Sequence, residues 1–261
     1  MNLHSAGIVL GLLIAISGLS GAGAQSVTGQ GGRSPVNIEA NDGIEWQRDT
    51  KAYIARGDAR ASRDGVEIRA DTLTAFYRDG KDGEGQDIYR IDADGKVIIT
   101  AESGKAFGDK GVYHVNESVL VLVGSNLKLE TATAVITARD ALEYWDTRQL
   151  AVARGEAIVV SEKGRLRADI LTAHITQDDK REIRQIDAFG NVLITTGTEI
   201  AQGEEGVYNP RTGLATLCGN VRITRGKNQL NGNCAEVNLV TGISRLVGDG
   251  RRVRGLFTPE K

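Results

Sequence analysis

The chain has 261 residues, 32 of them Lys or Arg and 34 Asp or Glu, for a net charge of −2. So near a balance offers no field for steering onto nucleic acid. With 33 Gly, 3 Pro and many Val, Ile and Thr, the composition predicts strands interrupted by turns and bulges.

In chain order, the apolar run "GIVLGLLIAISGLSGAGA" from Gly7 ends in Ala22-Gly23-Ala24. Its length and A-x-A ending predict a secretory signal peptide over 1–24, cut after Ala24, with an uncleaved anchor as the alternative. "QSVTGQGGRS" follows, a flexible lead-in over 25–35 with almost nothing to bury. The remainder holds no second apolar run of membrane length.

From residue 36 the chain repeats itself. "ANDGIEWQRDTKAYIARG" from Ala40 aligns with "ARDALEYWDTRQLAVARG" from Ala138, an offset of 98, and "RADTLTA" at Arg69 falls on "RADILTA" at Arg167. Beyond a loop the offset becomes 95, which places "RIDADGKVIIT" at Arg90 on "QIDAFGNVLIT" at Gln185. The three-residue difference is absorbed by "DGKDGEGQD" against "QDDKRE", the signature of a tolerant surface loop. The long repeat spans 38–124 and 136–219, with a partial third copy running to 248.

A shorter unit lies inside. Its first mark is an acidic or amide residue followed at alternate positions by apolar or small residues, at Asp42, Asp71, Asp109, Asp140, Asp169, Glu204 and Asn233. Its second is a Gly at Gly57, Gly95, Gly124, Gly155, Gly190, Gly219 and Gly248. Period-two alternation usually follows, as in Val97/Ile99 and Val192/Ile194; after Gly124 it arrives one residue late, at Leu127/Leu129, and after Gly248 it fails. Such alternation buries one face of each strand, and a recurring Gly within strands predicts a bulge. A unit of two such strands cannot bury its own apolar face, so the units must stack. The expected fold is all-β, a single solenoid-like stack with essentially no helix and a tail over 249–261.

Seven units of this kind behind a signal peptide resemble the OstA-like family of lipopolysaccharide transport proteins, of LptA type. "GNVLIT" at Gly190, "RADILTA" at Arg167 and "GNVRITRGKNQLNGNCAEVNLVTGISRLVG" from Gly219 carry the resemblance. It implies an open, twisted antiparallel β-jelly roll with an apolar interior, in the periplasm, that shields lipid A acyl chains of lipopolysaccharide. It also implies end-to-end self-association and partners in the inner-membrane and outer-membrane parts of the export machinery. The candidate inward, lipid-contacting residues are Ile44, Trp46, Leu73, Val97, Ile99, Tyr113, Leu142, Tyr144, Leu171, Val192, Ile194, Tyr208 and Val221. Seven layers at about 4.8 Å would reach on the order of 35 Å.

Cys218 and Cys234 are the only cysteines and flank Gly226 symmetrically, so a hairpin there would bring them together as a disulfide; two buried thiols are the alternative. Besides His4, only His114 and His174 occur, without ligand-like spacing, so no metal, catalytic group or cofactor is expected. The evenly spread acidic marks suit a turn or strand-end cap needed in every unit better than a catalytic pair, and "DGKDGEGQD" suits a solvated loop better than a calcium site. Arg251, Arg252 and Arg254 read as a soluble tail, with phosphate or acidic-partner contact as the alternative. A structural β-filament and a polysaccharide-acting β-helix enzyme are the competing functions; the latter needs catalytic residues gathered on one or two turns, which the even spacing does not supply.

Overall fold

Two-residue bulges organise the backbone. In the computed structural model, which describes residues 37–63, 66–80, 86–177, 182–238, 241, 243–247 and 253–258, the first strands are β1 (Asn37–Glu39), β2 (Gly43–Gln47), β3 (Ala52–Arg63), β4 (Val66–Asp79), β5 (Gln86–Ala101) and β6 (Gly104–His114). Then come β7 (Val119–Val123), β8 (Leu127–Thr131), β9 (Ala134–Ala138), β10 (Ala141–Trp145), β11 (Leu150–Ser161) and β12 (Gly164–Ile175). The last are β13 (Ile183–Thr195), β14 (Glu199–Asn209), β15 (Leu214–Arg225), β16 (Asn228–Asn238), β17 (Ile243–Val247) and β18 (Arg254–Leu256). All pairings among them are antiparallel and join them into one 18-stranded sheet. A 3-10 turn at Asp146–Arg148 is the one helical element among the described residues. The predicted signal peptide, the lead-in, residues 81–85 of the Gly-rich loop, Gly248, Arg251 and Arg252 lie outside the described residues.

Alternate long strands, β3, β5, β11, β13 and β15, are kinked near their middles. In β11 the register with β12 shifts between Arg154 and Ala157, and the two residues between, Gly155 and Glu156, have φ of +80° and +46°. Two left-handed residues in succession turn the strand sharply, and Gly takes the first at no steric cost. The same pair recurs as Gly57/Asp58, Gly95/Lys96, Gly190/Asn191 and Gly219/Asn220. At Gly124 the kink widens into a break between β7 and β8, which is why the alternation resumes late at Leu127.

The kinks split the sheet into two halves. The first half of β6 pairs with β8 and the second with β7; β11 meets β10 before its kink and β9 after it. Apolar side chains from both halves form one core cluster, among them Leu73, Leu122, Val192 and Val221, and no buried residue among those described is polar or charged. The sheet also runs into the segment read as a tail, because β18 pairs with β16.

Six of the marks lie against these kinks: Asp42 and Asp140 do so from bends just ahead of β2 and β10, as a strand-end reading expects, while the others correct the reading as turn or strand-end caps. Asp71, Asp109, Asp169 and Glu204 sit within strands, each over the Gly of the next kink in the chain. Ser125 N–H donates to Asp109 Oδ2 at 2.7 Å, Asn191 Nδ2 to Asp169 Oδ2 at 2.8 Å and Asn220 Nδ2 to Glu204 Oε1 at 2.6 Å. The carboxylate thus clasps the bulge beside it through a bulge side chain, or at Gly124 through the Ser125 backbone N–H that the break leaves outside the ladder.

Candidate functional site

The register brings inward side chains into continuous rows. One row runs Ile44, Ala55, Leu73, Ala93, Gly111, Leu122, Leu142, Ala153, Leu171, Ala188, Gly206, Leu217, Ala235, Leu246, each opposite the next. That is fourteen levels, because each of the seven units holds two strands. At about 4.8 Å per strand the row extends about 60 Å, which replaces the shorter reach expected from counting units. Every member is apolar or Gly, so nothing polar interrupts this row.

Large and small residues alternate along the row, which lets neighbouring levels interdigitate. Leu73 lies between Ala55 and Ala93, and Leu171 between Ala153 and Ala188. The alternation breaks small against small at Ala93/Gly111 and Ala188/Gly206, and large against large only where the two long repeats meet, at Leu122 opposite Leu142. There lies a cavity of about 90 Å³, lined by Leu120, Leu122, Leu129, Ile136, Leu142 and Tyr144 among others.

Of the candidate residues, Leu73, Val97, Ile99, Tyr144, Leu171, Val192 and Val221 are buried, while Tyr113, Leu142 and Ile194 are half-buried against the core. Tyr208 is half-buried too, and burial raises its phenol above the ordinary tyrosine value. Ile44 and Trp46 depart from expectation: they occupy inward row positions but are 53% and 49% exposed. The cause is position, since β2 is an end strand and no described residue covers its outer edge. Trp46 stacks on Tyr53 at 5.8 Å and donates its indole N–H to Tyr77 Oη at 2.7 Å, with the Arg48 guanidinium 4.7 Å from its ring centroid.

The sequence reading missed Leu120, Leu122, Leu129, Ile136, Leu217 and Ile223, all buried in the same interior. Their signal was the alternation on the strands beside the chosen ones. Outward groups pair locally: His174 Nε2 lies 2.7 Å from Asp187 Oδ2. Arg154 and the Trp145 indole N–H both hold Glu143, leaving its side chain 10% exposed. Cys218 and Cys234 stand opposite each other in β15 and β16 and are joined as a disulfide, across the two-residue hairpin loop that Gly226 opens at φ +57°. Among the described residues no three metal-ligating side chains gather, and no helix is long and apolar enough to cross a membrane.

The comparisons agree with this doubled architecture. The family described as LptA/(LptD N-terminal domain) LPS transport protein matches twice, over residues 37–141 and 135–243. Among solved structures the chain is similar to the crystal structure of LptH from Pseudomonas aeruginosa, described as the LptA homologous periplasmic component of the conserved lipopolysaccharide transport device. The identity is 16% and the TM-score 0.44, over 48% of this chain and 95% of that one. No curated protein sequence matches. Since the two family matches together cover most of the chain, it belongs to the LptA/(LptD N-terminal domain) LPS transport proteins, a non-enzymatic transport family, and carries two copies of the family's domain.

Proposed function

We propose that this lipopolysaccharide transport protein is a periplasmic bridge that shields lipid A acyl chains in its interior and passes them from the inner towards the outer membrane. The observation that carries the reading is the unbroken apolar row of fourteen levels. An acyl chain gains about 0.8 kcal/mol per methylene removed from water, so a lipid with several chains needs continuous cover to cross an aqueous compartment. Because every level of the row presents only apolar side chains or Gly, each step keeps the chain in apolar surroundings, and repetition becomes the means of movement.

The residues that would contact lipid are the inward candidates named above, joined by Leu120, Leu122, Leu129 and Ile136 around the cavity. Signal-directed export would place the chain in the periplasm. Its partners would be the inner-membrane and outer-membrane components of the same machinery and further copies of itself, because about 60 Å of trough is shorter than such a compartment and edge strands are competent for strand addition. Energy for transport would come from those partners, since the sequence holds no GxxxxGK[ST] loop.

The test is ultraviolet crosslinking in living cells from a photo-reactive amino acid at Leu142, with exposed Arg167 as the outward control; Glu143 is unsuitable because Arg154 and Trp145 cover it. A lipopolysaccharide adduct at Leu142 and none at Arg167 is the expected result. Absence of lipid at both positions in folded, exported protein would sink the trough and favour a filled structural filament.

A further inference from the structure

The outer face of one half of the sheet changes character between the two domain copies. In the half that holds β8 and β9, Ile99, Leu129 and Ile136 belong to the buried core, so the residues next to them in each strand point outward. The strand pairings set these outward residues in matching rows. Glu39 and Arg60 of the first copy have Thr137 and Ile158 as counterparts, at an offset of 98. Asn37, Ser62 and Glu67 have Val135, Val160 and Arg165. Lys105 and Glu130, opposite each other, correspond to Ile200 and Thr224, also opposite each other.

The acids Glu39, Glu67 and Glu130 thus give way to Thr137, Arg165 and Thr224, and these rows of the second copy carry no acid. In the same rows Asn37, Arg60, Ser62 and Lys105 give way to aliphatic residues, of which Val135 is 39% exposed and Val160 and Ile200 are 48% exposed. The cations differ too. In the first copy Arg60 and Arg69 both pair with Asp58, and Lys128 pairs with Glu130 at 2.7 Å. In the second, Arg139 engages Glu156, the counterpart of Asp58, at 3.6 Å. Arg165 and Arg167 are exposed and make no hydrogen bond or ion pair among the described residues.

We propose that this face of the second copy docks on an anionic phospholipid bilayer, its aliphatic side chains entering the interface and Arg165 and Arg167 taking lipid phosphates; this goes beyond the bridge reading and does not depend on the cargo. A bilayer spreads phosphates in a plane above apolar tails, and a sheet face that mixes free cations with exposed aliphatic groups meets both at once. Placement favours a bilayer over an acidic protein. Protein interfaces keep charge at the rim and deplete it at the centre. Here the two arginines stand in the middle, with Val160 and Ile158 opposite them on one side and Thr195 and Leu193 on the other. Such a contact would hold the second domain copy, and the interior within it, against a membrane.

The experiment floats the full chain, purified without lipid, on vesicles of phosphatidylcholine with phosphatidylglycerol and on vesicles of phosphatidylcholine alone. Binding is expected on the anionic vesicles, weakening as salt rises, with little on the neutral ones. V160S combined with R165E places at these positions the residue types the first copy already carries as Ser62 and Glu67, so the strands are kept. Its partition should fall roughly tenfold or more, because one arginine near an anionic surface contributes about fivefold. R69E makes the same change of charge at the counterpart of Arg167, six strands and about 29 Å away along the sheet. Being several Debye lengths off, it should leave partition within about twofold. An equal loss in R69E, or binding retained by the V160S/R165E chain, would overturn the proposal. So would no binding to anionic vesicles, which would leave the face to an acidic protein. Uptake of vesicle acyl chains by the trough would appear on neutral vesicles as well, and lipopolysaccharide capture at Leu142 is read in cells, so the trough and this face fail separately.

Discussion

The bulge clasp makes a quantitative claim that Gly155→Ala tests. Gly155 has φ +80°, and a Cβ there would lie 2.8 Å from Asp140 Oδ1 and closer still to Cγ and Oδ2. Holding an L-residue in the left-handed region costs roughly 1–2 kcal/mol. Forcing a methyl into occupied space adds about 1–3 kcal/mol, so a loss of about 2–5 kcal/mol is expected. The assay is the urea midpoint followed by circular dichroism, with Gly197→Ala as control; nothing lies within 4 Å of a Cβ at Gly197 and its φ is not left-handed. The control should stay within about 0.5 kcal/mol of the parent. Asp140→Ala in the Gly155→Ala background should recover part of the loss, because the clashing atoms are the carboxylate's. Equal midpoints for Gly155→Ala and Gly197→Ala, or no recovery in the double variant, would refute the clasp.

Two further outcomes follow from the same framework. Cys218→Ser with Cys234→Ser removes a crosslink over a sequence separation of 16, worth about 3 kcal/mol in the chain-entropy model; amide exchange should accelerate by about two decades in β15 to β17 and little in β3 to β5, and uniform protection would show that the staple contributes nothing locally. Asp109 is held below its ordinary value of 3.8 by the Ser125 backbone N–H and then its hydroxyl. A depressed carboxyl contributes stability above its unfolded value and loses it as pH falls through the folded one, so the acid-side drop in urea midpoint below about pH 3.8 should shrink in Asp109→Asn. An identical drop in both proteins would count against Asp109 as a source of it.

Much of the fold was legible because the strand period and the repeat are both local signals. Val97/Ile99 and Val192/Ile194 alternate on the sequence, and the first three are buried and Ile194 half-buried against the core. The pairing of the two marks was less visible, although the signal was present: Asp42 to Gly57, Asp109 to Gly124, Asp140 to Gly155 and Glu204 to Gly219 are each 15 residues apart. That constant distance is a hairpin with a short turn, and Asp71 to Gly95 and Asp169 to Gly190 lengthen it only through loops. Ile44 and Trp46 carry the interior pattern yet stay exposed, because a pattern specifies which face a side chain takes and not whether a neighbouring strand arrives to cover it. The sequence likewise carried no direct sign of the cavity, which depends on two large residues, Leu122 and Leu142, meeting across strands that are not consecutive in the chain.

That meeting bears on how a trough could extend beyond one molecule. Along the row this seam between the two repeats is the single step at which large faces large, and strand addition that set Leu246 of one copy against Ile44 of the next would again place large against large. Leu122 and Leu246 are counterparts, as are Leu142 and Ile44. A lipid crossing from one copy to the next would therefore meet the arrangement it had already crossed midway through the first, with the ladder carried on in the same register. A discontinuity at the joint would add a barrier for every added copy, so transit would slow steeply with the number of copies. A joint built like the seam adds only length, and the span can then follow the width of the compartment without altering the energetics of any single step.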